Sequence, residues 1–160
     1  GWLLARWRTW AVVAVLLVCA LSPALIATWH LRSHDVALGL PQERAARWIA
    51  ANTPKRSIFV TDDFINSPID LAGRLRISTF GPYVSNLGYD PGPRSEDTKA
   101  IYCDGPEVAL ERMAVSGATY VLSSGGDPCE GEPGTDFASS PLFDTVYEDD
   151  GVTVWRLAGS

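Results

Sequence analysis

Residues 10–29, WAVVAVLLVCALSPALIATW, are the feature that most limits what this chain can fold into. The segment carries no charge, and its 20 residues at a helical rise of about 1.5 Å extend for about 30 Å, the thickness of a bilayer's hydrocarbon core. Trp10 and Trp29 lie at its two ends, where indole rings favour the headgroup region. The pattern predicts a transmembrane helix over residues 10–29.

Two other interpretations of this segment remain open. One is a buried helix of a soluble protein, although such helices seldom extend this far without a charge. The other is a cleaved signal peptide in front of a secreted soluble domain, because Arg6 and Arg8 precede the apolar run. Trp29, His30 and Leu31 make a poor cleavage site, which favours a retained membrane anchor.

Positive charge predicts the orientation of the span. Two arginines flank its amino end, and only Arg32 follows close to its carboxyl end. The positive-inside rule therefore places residues 1–9 in the cytoplasm, followed by the span, a linker over 30–40 and an extracytoplasmic domain over 41–158. The chain does not begin with methionine, which suggests a piece of a longer membrane protein.

The charge of the chain limits its partners. The sequence has 19 Asp and Glu against 13 Lys and Arg, a net charge of -6, and every acid follows residue 34. An acidic domain repels the phosphates of nucleic acids, which excludes that class of partner. It also repels anionic lipid headgroups, so we expect the domain to stand away from the bilayer surface rather than lie flat on it.

Periodicity after residue 40 predicts an alternating α/β order. The patterns indicate helices over 41–54, 67–72, 93–102 and 106–115, strands over 57–61, 76–80 and 119–123, and a closing hairpin around the Asp-Gly of residues 150–151. The expected fold is a three-layer α/β domain with about five strands, mostly parallel, that ends in an antiparallel hairpin.

Cys103 and Cys129 are the only cysteines after the apolar run. An extracytoplasmic compartment permits a disulfide between them, but two free thiols remain the alternative because spacing along the chain does not reveal distance. The sequence predicts no metal site and no cofactor, since neither a Cys-x-x-Cys pair nor a histidine lies near these cysteines. His30 and His34 are better explained as polar residues at the membrane interface.

Asp62 and Asp63 follow a predicted strand, which is where ligands bind in open α/β sheets. Paired carboxylates there could hold a divalent ion or contact sugar hydroxyls. The alternative is a structural aspartate that caps a helix or a turn. Residues 123–126, SSGG, also follow a strand and could cradle an anion with backbone N–H groups, but the acids at 127, 130 and 132 argue against it.

Residues 73–102 combine arginines, acids and tyrosines at high density. The arginines at 74, 76 and 94 are expected to pair with the acids at 90, 96 and 97. Tyr83 and Tyr89 offer ring faces that suit either a sugar or simple packing. The alternative to a binding role is an ion-paired scaffold around an irregular loop.

A series of short motifs also extends over residues 41–157. They are RWI at 47–49, NTP at 52–54, IFVT at 58–61, AGR at 72–74, LGYD at 87–90, Arg94 with Asp97, IY at 101–102, ATYV at 118–121, VY at 146–147 and GVTVWR at 151–156. Together they resemble the extracytoplasmic tail domain of bacterial GT-C-type integral membrane glycosyltransferases, which use polyprenyl-phosphate-linked sugars, and of their uncharacterised relatives.

The resemblance implies that residues 10–29 are the last span of a larger enzyme, whose upstream membrane half is the partner of this domain. The catalytic acids of such enzymes usually lie in an early extracytoplasmic loop, outside these residues. The implied role is therefore non-catalytic support of acceptor binding or of stability, with a glycan or polyprenyl-phosphate sugar as the ligand. The docking or binding face it implies comprises Gly73, Arg74, Tyr89, Arg94 and Asp97.

A second class of function stays open beside the transferase fragment. The same span and domain suit a single-span, membrane-anchored extracytoplasmic domain that binds or senses a small molecule or glycan. The upstream gene sequence separates the two, because only the transferase requires many preceding spans.

Overall fold

A computed structural model of the chain describes residues 39–62, 65–79 and 81–159, together with Cys19 and Ser22. The chain divides into two compact units, Gly1–Ala37 and Leu38–Ser160. The predicted span, apart from Cys19 and Ser22, and the two histidines lie outside the described residues. Among the residues that are described, no helix has the length and apolar character needed to cross a membrane.

The second unit contains all of the helices and strands whose bounds the structure gives. The helices are α1 (Leu40–Asn52), α2 (Pro68–Leu71), α3 (Gly81–Asn86), α4 (Gly92–Cys103) and α5 (Pro106–Ser116). The strands are β1 (Ile58–Thr61), β2 (Leu75–Arg76), β3 (Tyr120–Ser123), β4 (Phe143–Asp149) and β5 (Val152–Leu157). Most predicted elements are confirmed within a few residues, but α3 was not predicted.

The sheet has the strand order β2-β1-β3-β5-β4, which confirms the α/β class. β1 pairs in parallel with β2 and β3, whereas β5 pairs antiparallel with β3 and β4. The expectation of mostly parallel strands is therefore wrong, because the sheet is mixed. β4 runs in the same direction as β3 but lies at the edge of the sheet, and its hairpin partner β5 lies between them, so both pairings of β5 are antiparallel.

The closing hairpin confirms the Asp-Gly prediction. Asp150 and Gly151 have φ angles of 43° and 82°, the left-handed values that a type I′ turn requires at both of its central positions.

The prediction of a strand over 76–80 is wrong in its extent. β2 pairs with β1 at only two positions, and the chain then leaves the sheet, so that residues 77–79 line a cleft.

The sheet separates two hydrophobic cores. α1 and α2 pack on one face, against Phe59 and Leu122, and α4 and α5 pack on the other, against Val60 and Val121. Consecutive strand residues point to opposite faces, so each buried strand contributes to both cores. Burial of one such side chain stabilises the fold by about 1.5–3 kcal/mol. The carboxyl ends of β1, β2 and β3 consequently meet at one edge, between two helical layers.

Candidate functional site

Asp62 stands at this carboxyl edge, directly after β1. The residue is 8% exposed, and its carboxylate accepts hydrogen bonds from Ser123 Oγ at 2.9 Å and from the Ser124 N–H at 3.1 Å. Ser124 Oγ and the Gly126 N–H also donate to it, each at 3.1 Å. Both carboxylate oxygens therefore have donors from within the chain.

The Asp62 carboxylate occupies the anion cradle that the sequence indicated at 123–126. Consecutive backbone N–H groups in a turn favour a negative charge, and here the chain supplies that charge itself. A Cβ atom at Gly126 would lie 3.2 Å from Asp62 Oδ2, so glycine permits this close approach. The contacts match the structural alternative for Asp62, a turn aspartate. Asp63 lies outside the described residues.

A cleft of about 350 Å³ opens beside the edge strand β2. We call it the outer cleft. Its lining residues come from α2, from β2 and the segment that follows it, from α3 and from the start of α4: Asp70, Arg76, Ile77, Ser78, Thr79, Val84, Asp90, Pro91, Arg94 and Ser95. Of the predicted site residues, Arg94 is in this lining.

Charges in the outer cleft are balanced. Arg76 is paired with Asp70 at 3.1 Å and also donates to Thr79 Oγ1. Asp90 accepts a hydrogen bond from the Gly92 N–H at 2.9 Å. The lining contains two arginines and two aspartates, so it has no net charge that would attract an anion or a metal ion. This arrangement suits a neutral ligand with many hydroxyl groups.

A second cleft of about 210 Å³ adjoins the first and shares Ser78, Thr79 and Ser95 with it. We call it the inner cleft. Its remaining lining residues are Thr61, Asp62, Thr98, Lys99, Pro128 and Glu130. Five of its side chains carry a hydroxyl, and Lys99 Nζ lies 3.5 Å from Glu130 Oε1. Hydroxyls both donate and accept hydrogen bonds, so the inner cleft also suits a hydroxylated ligand.

Tyr83 and Tyr89 are both exposed and adjoin the outer cleft in the chain. Tyr83 in α3 is 59% exposed and precedes the lining residue Val84, and Tyr89 is 70% exposed and precedes Asp90. Neither ring is buried in a hydrophobic core. Their positions agree with contact to a sugar and with packing at the surface. An exposed tyrosine combines an apolar ring with a polar hydroxyl.

Arg74 has a structural position away from both clefts. Its Nε donates to Thr53 Oγ1 at 3.0 Å, and its terminal nitrogens donate to the carbonyls of Ala50, Thr53 and Ala72 at 2.8 Å each. Ala50 and Thr53 belong to the carboxyl-terminal end of α1, where carbonyls lack partners within the helix. The expected pairing of Arg74 with the acids at 90, 96 and 97 is wrong, because the guanidinium caps α1 instead.

Asp97 also has a structural position. Its side chain is 16% exposed and pairs with Arg94 at 3.7 Å and with Arg112 at 3.1 Å. Arg112 lies in α5, so this carboxylate connects α4 to α5. The Arg94 partner agrees with the expected ion pair, whereas Arg112 was not foreseen.

Cys103 and Cys129 are joined by a disulfide, the first of the two alternatives that the sequence left open. The bond connects the end of α4 to the loop after β3. Thr135 holds the same loop, because its N–H donates to the Tyr102 carbonyl at 2.6 Å and its hydroxyl donates to the Ile101 carbonyl at 3.0 Å. The wall of the inner cleft that contains Pro128 and Glu130 is thereby attached to α4, which forms the opposite wall.

Arg44, Tyr147 and Asp149 form a polar cluster that lines neither cleft. The hydrogen bond from Arg44 lowers the pKa of Asp149, and the same contact raises the pKa of Arg44. Burial, followed by the hydrogen bond to Asp149, raises the pKa of Tyr147. This cluster connects α1 to the hairpin, and its shifted pKa values have a structural cause.

Sequence reasoning missed the serine and threonine residues that line the clefts. Ser78 and Thr79 were placed inside a strand, so their position after the end of β2 was not recognised. The rule that ligands bind beyond the carboxyl ends of strands would have identified both residues if the end of β2 had been predicted correctly.

Comparisons with known proteins do not assign this chain to a family. No protein-family model matches it, and no curated protein is similar enough to count as a relative. Within the part of the chain that the structure describes, no group of three or more His, Cys, Asp or Glu side chains could hold a metal ion. The two adjoining clefts at the sheet edge are the candidate binding site, on the evidence of their size and of their hydroxyl-bearing lining.

Proposed function

We propose that this chain is the last span and the extracytoplasmic accessory domain of a membrane glycosyltransferase that uses a polyprenyl-phosphate-linked sugar. The domain binds a glycan or the sugar of the donor and does not catalyse the transfer. The observation that carries the binding role is the pair of adjoining clefts, which are both lined by hydroxyls, with two arginines balanced by two aspartates in the outer cleft. The predicted span and the motif series carry the assignment to a transferase.

The contacts of Asp62 support a non-catalytic role. A general acid or base must reach the reacting group of the substrate with its own oxygen. The Asp62 oxygens are already held by Ser123, Ser124 and Gly126. The catalytic acids of the complete enzyme are expected in its upstream membrane half.

Ligand titration of the full chain in mild detergent tests the binding role. The probes are glucose, galactose, mannose, arabinose and N-acetylglucosamine, followed by saturation-transfer NMR. We expect millimolar binding of at least one sugar, and a loss of about tenfold or more in Ser95→Leu, because an added isobutyl group fills a cleft that must bury much of a small ligand. Ser139→Leu is the control, since Ser139 is also exposed but lines neither cleft.

Two results would count against parts of this proposal. Absence of binding for every sugar, or equal binding by wild type and Ser95→Leu, contradicts the binding role. The complete reading frame tests the transferase role separately. Eight or more upstream spans with an early acidic loop support it, whereas a start codon directly before residue 1 leaves the single-span binding domain.

A further inference from the structure

Five large exposed apolar side chains occur within residues 71–89, a part of the chain that also contributes five of the residues lining the outer cleft. Leu71, Leu75, Tyr83 and Tyr89 are 65%, 55%, 59% and 70% exposed, and Leu87 is 75% exposed. The first four are chain neighbours of cleft-lining residues. We call these five side chains the apolar rim. A polar cleft bordered by large exposed apolar groups differs from an ordinary surface, where such groups occur singly.

The backbone after α3 holds part of this rim in place. The Gly88 N–H donates to the Ser85 carbonyl at 2.9 Å and the Tyr89 N–H donates to the Val84 carbonyl at 3.2 Å. These two bonds, with Gly88 at a φ of 85°, define a Schellman motif, which closes a helix and fixes the direction of the chain that follows. Tyr89 therefore stays beside the cleft while its side chain remains exposed.

The composition of this part of the rim matches the interfacial region of a bilayer. No charged residue occurs between Arg76 and Asp90. Tyrosine is enriched at the headgroup level of membranes because its ring is apolar and its hydroxyl is polar, and leucine extends further toward the acyl chains.

The chain also keeps the domain within reach of a bilayer. The predicted span ends at Trp29 and α1 begins at Leu40. Eleven residue steps of about 3.4 Å allow a separation of at most about 37 Å. A domain held this close encounters the same membrane surface continuously, so even a weak apolar contact is populated.

We propose that the apolar rim rests on the lipid bilayer at headgroup level and that the outer cleft opens toward the membrane surface. This inference deepens the proposed function and rests on it for the ligand, because a sugar attached to a polyprenyl phosphate lies at that surface. The contact uses apolar area rather than charge. It replaces the expectation from charge alone that the domain stands away from the bilayer surface, because net negative charge repels anionic headgroups but does not oppose an apolar contact.

Fluorescence quenching in vesicles tests the contact without any sugar. The full chain carries Cys19→Ser, which removes the free cysteine of the described residues, and either Leu87→Cys or Val115→Cys. Val115 in α5 is the matched control, because its exposure of 77% equals that of Leu87 within two percentage points. Each cysteine is labelled with a nitrobenzoxadiazole dye in phosphatidylcholine vesicles that contain 5-doxyl phosphatidylcholine.

We expect the label at Leu87 to be quenched at least about twofold more than the label at Val115. Tyr83→Cys, on the same side of the α3 turn four residues earlier, repeats the measurement in case Leu87→Cys disturbs the fold. Equal quenching at rim and control positions overturns the proposal, and so does a chain that fails to float with the vesicles. Because no sugar is present, this failure is distinct from a failure of the sugar titration.

Discussion

Two segments leave the same edge of the sheet and differ in how firmly the rest of the chain holds them. The loop after β3, residues 124–142, is held by Asp62, by the Cys103–Cys129 disulfide and by Thr135. The segment after β2, residues 77–91, supplies six of the ten residues that line the outer cleft and exposes large apolar side chains, whereas the loop after β3 contributes Pro128 and Glu130 to the inner cleft.

Position at a strand end does not by itself make a binding site. Asp62 occupies the position where a ligand contact is expected, but the chain satisfies its carboxylate internally. Ser78 and Thr79 after β2 have the same kind of position. Their hydroxyls each accept one hydrogen bond, from Thr98 and from Arg76, but they line the clefts, and a hydroxyl can make more than one hydrogen bond. A buried carboxylate whose two oxygens already have donors, such as that of Asp62, needs no ligand.

The largest expected effect comes from removing the disulfide that holds the loop after β3. Cys103→Ser with Cys129→Ser should lower the free energy of unfolding by about 3.5 kcal/mol, because the disulfide closes a loop of 26 residues and restricts the unfolded chain. Urea denaturation of the full chain in mild detergent measures this value. Cys19→Ser is the control. A loss of stability below about 1 kcal/mol in the double variant would contradict the claim that the disulfide holds the loop after β3 more firmly than the segment after β2 is held.

The next largest effect tests the carboxylate that holds the same loop. Asp62→Ala should lower the free energy of unfolding by about 3 kcal/mol, because the donors of Ser123, Ser124 and Gly126 lose a charged acceptor. Thermal unfolding followed by circular dichroism measures the change. Asp127→Ala, an exposed acid of the same loop, should stay within about 0.5 kcal/mol of wild type. Equal losses in both variants contradict a specific role for Asp62.

Arg74 and Arg94 lie before and after the segment that follows β2, and their substitutions should differ in effect. Arg74→Ala should lower the free energy of unfolding by about 2 kcal/mol, because its guanidinium holds several carbonyls at the end of α1. Arg94→Ala should lower it by less than about 0.5 kcal/mol, because its pair with Asp97 is half exposed. Chemical denaturation of both variants in parallel gives the difference, and a larger loss for Arg94→Ala would contradict the assigned positions.

The smallest expected effect is a pH dependence of the free energy of unfolding that arises in the loop after β3. Hydrogen bonds from the hydroxyl and the N–H of Ser139 lower the pKa of Asp136 below its ordinary value of 3.8. A lowered pKa in the folded state stabilises the fold above about pH 4, and this contribution is lost as the pH falls through the folded pKa.

Asp136→Asn should therefore make the free energy of unfolding fall less steeply between about pH 4 and pH 2. Denaturation at a series of pH values checks this slope. Ser139→Ala removes the hydroxyl donor and should change the slope in the same direction by a smaller amount. Slopes identical to wild type in both variants would show that this contact does not contribute.

Much of the secondary structure could be predicted because its signals are local. Pro106 and Gly117 bound α5, and Gly117 adopts the left-handed conformation with a φ of 72° that ends many helices. The hairpin followed from the Asp-Gly pair for the same reason. β2 could not be bounded in this way, because its length depends on its pairing with β1 rather than on its own residues.

The candidate site could be predicted only in part. The sequence brought Asp62, Arg74, Arg94 and Asp97 forward as polar residues in suggestive positions. It could not separate them, because a carboxylate or guanidinium has the same chemistry whether it contacts a ligand or a helix end. The distances to partner atoms show that Asp62 and Arg74 have structural contacts. The lining of the outer cleft shows that Arg94 lies there.

The apolar stretch, the α/β order and the turn of the hairpin could be read from the sequence, because each depends on residues that are close together in the chain. The net negative charge follows from composition alone. Folding set the mixed strand directions of the sheet, the partner of each charged side chain and the exposure of the segment after β2. These properties arise from groups that are far apart in the chain, such as Asp62 and Ser124, and their distance is set only when both cores are packed.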